Sequence, residues 1–234
     1  MKKFTLLELL IVITIIAILL TMLLPSLGRA REITKRAVCL SNQQQIYRGQ
    51  INYAKDKAGK FANSNSGSVR YFKARKIDDM GLYETSVDVW QCPNWNFDTN
   101  DCIFNLTENQ RKNKLNNNNT VMIAYHMMTG SDSHNEYGGA KGWEGFESIY
   151  DEREIPMIAD RTASPKNSPF RTKIMHSDNG GFLVSVNYVL EVKSYGCRGQ
   201  NETSVDGAGA WVDVGQLEPH NISSSLRGFW SRRY

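Results

Sequence analysis

The chain predicts an α+β protein, in which a long N-terminal helix, membrane-spanning in its first half, packs on an antiparallel β-sheet domain. Three observations carry that expectation. From Phe4 to Leu24 the sequence is apolar apart from a single formal charge, Glu8. Beyond Pro25 the pattern becomes amphipathic at helical spacing. From residue 58 onward, clusters of turn-forming residues alternate with short β-branched and aromatic runs.

As a helix, Phe4–Leu24 measures about 30 Å, the thickness of a bilayer's hydrocarbon core. A helix of a soluble domain has no need to be apolar on every face over that length. An ordinary cleaved secretory signal fits poorly. Its apolar core would run about 7–15 residues, and Leu27-Gly28-Arg29-Ala30 is a weak cleavage site. Glu8 is costly at such a position, about 2.5–3.5 kcal/mol at the bilayer centre. It therefore either sits near a headgroup layer or meets a positive partner from another subunit.

The amphipathic continuation places Ala30, Ile33, Ala37, Val38, Leu40, Ile46 and Tyr53 on the expected packing face. Arg31, Lys35, Gln43 and Arg48 fall among the polar positions. Asp56-Lys57-Ala58-Gly59 reads as the stop, giving a helix to about Lys57. The remaining chain, about 175 residues, is long enough to bury a core of its own. Strands are expected at Thr120–Met128 and Pro156–Asp160, with a hairpin of Phe182–Val186 and Val189–Tyr195 around Asn187-Tyr188. The segments Asn63 to Gly67, Asn116 to Asn119 and Gly130 to Ser133 read as loops.

The net charge of +4 belongs to the anchor. Residues 1–36 hold six Lys/Arg against two acids, and the other 198 residues hold 22 of each. A neutral head argues against a broad nucleic-acid footprint, and no nucleic-acid partner is expected.

The stretch Phe4-Thr5-Leu6-Leu7-Glu8, followed by the apolar run and Pro25, resembles the signal of type IV pilins and type II secretion pseudopilins. The resemblance implies a leader of residues 1–3, a helix over 4–57 and an extracytoplasmic β-rich domain over 58–234. It implies cleavage between Lys3 and Phe4 by a prepilin peptidase, which also N-methylates the new Phe4 terminus. It implies that Glu8 pairs with the amino group of a neighbouring subunit, since buried charges are tolerated as close pairs. Pro25 falls where many pilins carry a helix-bending proline. Lys3 departs from the family's usual glycine before the cut. The flanking charges also pull the other way: Arg29, Arg31, Lys35 and Arg36 outnumber Lys2 and Lys3. The positive-inside rule alone would put the C-terminal flank inside, whereas the resemblance implies a single-pass inner-membrane protein with its head outside.

A looser resemblance rests on Cys39-Leu40-Ser41-Asn42, Trp90-Gln91-Cys92-Pro93, and His176 ahead of Gly180-Gly181. It is to a large family of pilin-like proteins abundant in planctomycetes and lentisphaerae. Four cysteines, Cys39, Cys92, Cys102 and Cys197, suit an oxidising compartment and allow three full pairings. The resemblance shares Cys39 and Cys92 and so favours Cys39–Cys92 with Cys102–Cys197; Cys92–Cys102 is the local alternative.

No sequence motif of hydrolases, zinc proteases or nucleotide binders is present, and the cysteine and histidine spacings do not suggest zinc. His126, His134, His176 and His220 read as loop histidines. His176 to Gly181 reads as a tight turn, with Asp178 and Asn179 as weak calcium candidates. Trp90, Trp95, Trp143, Trp211 and Trp230 suit core anchoring, or a sugar-stacking surface if several face solvent together. The expectation is a non-enzymatic, cofactor-free filament subunit, partnered by the prepilin peptidase, other pilin subunits and the inner membrane. The alternative is a membrane-anchored binding module, with glycans as a candidate ligand.

Overall fold

The computed structural model describes residues 5–62, 71–83, 85–95, 106–117, 119–129, 145–151, 155–165, 171–174, 176–177, 182–185, 196–221 and 226–231. Helix α1, Leu6–Asp56, runs unbroken through Pro25. Its start is a capping box: the Thr5 hydroxyl accepts from the Glu8 backbone N–H at 3.2 Å, and Glu8 Oε2 accepts from the Thr5 backbone N–H at 2.8 Å. At the other end, Ala58 and Gly59 take positive φ angles of 53° and 82°, and the Gly59 N–H donates to the Ala54 carbonyl. The left-handed turn ends the helix where the sequence predicts.

From Leu6 through Arg31 every side chain of α1 is exposed, and the most apolar stretch has a mean hydropathy of 2.9 with none of it buried. This is a helix long and apolar enough to cross a membrane. Its second half lies against the head, chiefly across strand β8, Gly199–Thr203, with β4, Ile158–Asp160, and β9, Gly209–Asp213, on either side.

The head is antiparallel throughout its described strands. One sheet has the order β3-β4-β8-β9, with β3 at Tyr125–Met127. A second has the order β10-β11-β5-β6-β7, formed by Glu218–Asn221, Leu226–Trp230, Ala163–Pro165, Arg171–Ile174 and Phe182–Ser185. A two-stranded ribbon joins β1, Tyr71–Lys73, to β2, Thr120–Met122. Two short helices, α2 at Ala74–Gly81 and α3 at Glu108–Asn116, flank the ribbon; they extend the fold beyond the sequence expectation, and α3 takes in Asn116.

The expected strand Thr120–Met128 is two strands in two sheets, separated at Ile123-Ala124. Val121 to Met128 are all buried, so no polar position marked the break. Pro156–Asp160 contains β4, and Phe182–Val186 contains β7. The partner strand of the expected hairpin, Val189–Tyr195, lies outside the described residues, as do residues 63–67 and 130–133.

The core forms between α1, α2 and the first sheet. Phe72 and Trp90 meet with ring centroids 5.1 Å apart, beside Ile77, Met80, Ile123 and Phe146. Gly49 on α1 lets Thr85 approach: a Cβ there would collide with Thr85 Oγ1 and press on Met80 Cε at 3.2 Å. Gly→Ala inside a helix ordinarily stabilises by about 0.5–1 kcal/mol. Gly49→Ala is predicted to do the opposite, costing about 1–2 kcal/mol through overpacking and lowering the midpoint of thermal unfolding by several degrees. An unchanged or raised midpoint would show that the helix does not approach Thr85 this closely.

Candidate functional site

The face that α1 turns to the head mixes apolar and polar residues. Its buried residues are Glu32, Cys39, Gln43, Ile46, Gly49, Gln50, Tyr53 and Ala54. Glu32, Cys39, Gln43, Ile46, Gln50 and Tyr53 follow in steps of seven, four, three, four and three residues, so they form one stripe along the helix. Ile33 and Val38, expected to face inward, are 63% and 42% exposed, and Ala30 and Ala37 are exposed too. Gln43, expected outside, is fully buried. Ile46 and Tyr53 are buried as expected, so periodicity located the packed side in the later turns and missed it where the buried residues are polar. Here each buried polar group has a partner waiting, which removes the penalty that normally keeps it out.

The partners are specific. Gln43 Nε2 donates to Asp160 Oδ1 at 2.9 Å and to the Asn201 carbonyl at 3.2 Å, while Gln43 Oε1 accepts from Thr203 Oγ1 at 3.0 Å. Asn201 donates its backbone N–H to Asp160 Oδ2 at 2.7 Å and its side-chain amide to the Arg36 carbonyl at 2.9 Å. Further along, Gln50 exchanges two hydrogen bonds with the backbone of Ala62.

At the N-terminal end of this stripe stands His176, fully buried between two carboxylates. Its Nδ1 lies 2.8 Å from Glu32 Oε1 on the helix, and its Nε2 lies 3.2 Å from Asp160 Oδ2 on β4. Both ring nitrogens face a carboxylate, with the Asn94 amide nitrogen also 3.0 Å from Nδ1, and only the imidazolium can donate to both carboxylates. Burial opposes that charge. The Asp160 carboxylate, followed by hydrogen bonds to Asp160 and Glu32, outweighs burial and raises the pKa from 6.5 to about 9. For Glu32, burial pushes upward, but hydrogen bonds from His176 and Asn94 and the nearby cations His176 and Arg36 bring it below 4.5. Asn94 Nδ2 reaches both Glu32 oxygens, at 3.1 and 2.9 Å. Arg36 pairs with Glu32 at 3.4 Å and stacks over the Trp211 ring at 4.0 Å, so two acids meet two cations.

Beside the ring, Cys39 and Cys92 form a disulfide with Cα atoms 5.4 Å apart, tying α1 to the segment after the 3₁₀ turn Val87–Trp90. Closing a loop across a separation of 53 residues is worth about 4 kcal/mol on the chain-entropy account. The Cys39, Cys92 and His176 donor atoms lie within 4.8 Å of one another, the one grouping of metal-ligating side chains among the described residues. In this state both sulfurs are joined to each other and the imidazolium faces carboxylates, so the grouping offers a metal no free ligand set. Its chemistry is that of a lock.

The other expected site residues separate from this cluster. Glu8 caps the first turn of α1 through Thr5, a role written in the sequence as Thr5-Leu6-Leu7-Glu8, the capping-box spacing. Pro25 sits inside the exposed half of α1. Lys3, Phe4, Cys102, Asp178 and Asn179 lie outside the described residues, so the Cys102–Cys197 pairing and the calcium turn do too. Cys197 is buried as a thiol, and burial pushes its pKa up to about 11. Trp90 and Trp95 are buried, and Trp211 is half-buried beneath Arg36, so these three do not form a sugar-stacking platform. Trp143 and the side chain of Trp230 lie outside the described residues. His126 is a buried residue of β3, within the expected strand Thr120–Met128, its Nε2 3.1 Å from the Thr162 carbonyl.

The bridge predicts the pH dependence of stability. His176 has a raised folded-state pKa, so its contribution is complete below 6.5 and disappears as pH rises through about 9. Glu32 has a lowered one, so its contribution is present above 4.5 and disappears as pH falls further. Stability from the pair is thus greatest between about pH 4.5 and 6.5. Between pH 6 and pH 10 the loss is on the order of 3 kcal/mol, read by urea unfolding. His176→Gln is expected to be less stable at pH 6 and to lose most of that alkaline slope. A variant retaining the wild-type slope would contradict the assignment.

No family model, no curated protein and no solved structure matches this chain.

Proposed function

We propose that the chain is a structural subunit of a type IV pilus or type II secretion pseudopilus. It is made as a prepilin in the inner membrane, cut between Lys3 and Phe4, N-methylated, and assembled through packing of α1 with other subunits. The observation that carries this reading is the division of α1. Its first half is apolar and exposed around its whole circumference, while its second half is fixed to the head by a disulfide and a buried ion cluster. A hydrophobic rod held rigidly by a folded head suits burial first in a bilayer and then among like helices. A simple tether would need no such rigid junction.

Glu8 carries the assembly step in this reading. In the isolated chain its carboxylate is held by Thr5, at the helix end where an incoming positive amino terminus would dock. Glu8→Val is predicted to leave the head's unfolding midpoint unchanged and the chain in the membrane fraction. The same substitution should remove it from sheared surface filaments, or from pseudopili made by overexpression. Incorporation at the wild-type level would sink the assembly role and favour the anchored binding module, with its head outside the membrane.

A further inference from the structure

Cys39, Cys92 and His176 come from three separate stretches: α1, the segment after the 3₁₀ turn Val87–Trp90, and the residues beside the Ser177–Cys197 β-bridge. Separations of 53 residues between the cysteines and 84 between Cys92 and His176 hide them from any local motif. All three side chains are fully buried, and their donor atoms lie within 4.8 Å of one another. Two thiols and an imidazole are the ligand types of a thiophilic, tetrahedral ion, zinc above all.

The distances fit such an ion once the disulfide is open. On one zinc, a thiolate at about 2.3 Å and an imidazole nitrogen at about 2.0–2.1 Å stand about 3.6 Å apart at the tetrahedral angle. Cys92 Sγ is 3.8 Å from His176 Nε2. Two thiolates on one zinc stand about 3.8 Å apart. Cα atoms 5.4 Å apart reach that spacing by side-chain rotation when the sulfurs are not bonded to each other. The other ring nitrogen supplies an independent sign. Nδ1 lies 2.8 Å from Glu32 Oε1, the carboxylate–histidine pairing that orients a metal-binding imidazole and leaves Nε2 for the ion. Glu32 is itself held by Asn94 and Arg36. Asp160, 3.2 Å from Nε2, keeps its bonds from Gln43 Nε2 and the Asn201 N–H when that nitrogen gives up its proton to a metal.

We propose that in its dithiol state the chain binds one zinc ion through Cys39 Sγ, Cys92 Sγ and His176 Nε2. Binding releases a proton from each thiol and one from the imidazolium as the ion takes their places. The ion and the disulfide use the same two sulfurs, so each excludes the other. A newly made chain carries thiols, and zinc holds α1 in register on the head before the disulfide closes. Because the site is fully buried, the ion is taken up as the three stretches close round it, and binding is coupled to folding. This site belongs to the head and stands whether or not the chain assembles into a filament.

Zinc titration of the full-length chain in mild detergent tests it, with the chain reduced by a phosphine, which adds no competing thiol. Native mass spectrometry reads the stoichiometry, and competition with a chromogenic chelator reads the affinity. The reduced wild type is expected to take one zinc with a Kd below about 0.1 μM, more than about 100-fold tighter than the disulfide form. Cobalt(II) in its place should give the thiolate charge-transfer and intense d–d absorption of a tetrahedral site. Cys102→Ser with Cys197→Ser should leave both results intact, since neither sulfur belongs to the trio. Cys92→Ser should lose the tight site, and Glu32→Gln, which keeps all three ligands, should weaken it about 10–100-fold. Circular dichroism with and without zinc reads folding in the same samples. Weak binding by the reduced wild type, equal binding by the disulfide form, or undiminished binding in Cys92→Ser or Glu32→Gln would each overturn the site. So would loss of the ion from a folded Cys102→Ser, Cys197→Ser chain, or a reduced chain that stays unfolded when zinc is added.

Discussion

His176 held between Glu32 and Asp160 is the interaction that sets how the helix sits on the head. It joins a helix to a sheet through residues 144 and 16 positions away in sequence, with His176 and Asp160 fully buried and Glu32 nearly so. A buried ion cluster of this kind is a poor source of net stability, because each charge loses its hydration. What it contributes is geometry. Removing one member leaves an uncompensated charge at a cost of about 3–5 kcal/mol, so the helix cannot rotate or slide without losing the bridge. Gln43, Asn201 and the Cys39–Cys92 disulfide fix the same register from neighbouring turns.

That register decides what the helix shows to the outside. With polar residues on the inner stripe, Ile33, Val38 and the apolar run from Leu6 to Leu27 face away from the head. A single rigid rod therefore carries a hydrophobic surface whose direction is set by the head. Such a rod would suit the bilayer insertion and helix-to-helix packing proposed above without any part of the chain being rebuilt. The head itself contributes antiparallel sheets and a core around Phe72 and Trp90, which hold Asp160 and His176 at their positions.

The fold class was legible because it rests on strong local signals: an apolar run of membrane length, a glycine-marked helix stop and short strands between turn clusters. The Thr5–Glu8 spacing also carries the capping box, which the reading of Glu8 as an intersubunit partner passed over. The buried stripe was hidden for a physical reason. Hydropathy places Glu32 and Gln43 on the surface, and only tertiary partners far along the chain reverse that preference. One signal pointed the other way: if Cys39 faces the head to bond Cys92, helical spacing carries residues 32, 43 and 46 inward with it. His176 could not be matched to Asp160 or Glu32 from spacing, since nothing local links them. The split of Thr120–Met128 escaped notice because a segment buried on all sides has no alternation to break.

Mass spectrometry of the mature N-terminus in membrane and sheared-surface fractions bears most directly on the assembly of this rod. A processed subunit would begin at N-methylated Phe4, be present in the membrane and be enriched in the sheared material, which is the expected result. A chain beginning at Met1 or Lys2 and confined to the membrane would contradict it, leaving a rigid anchored head that assembles with nothing.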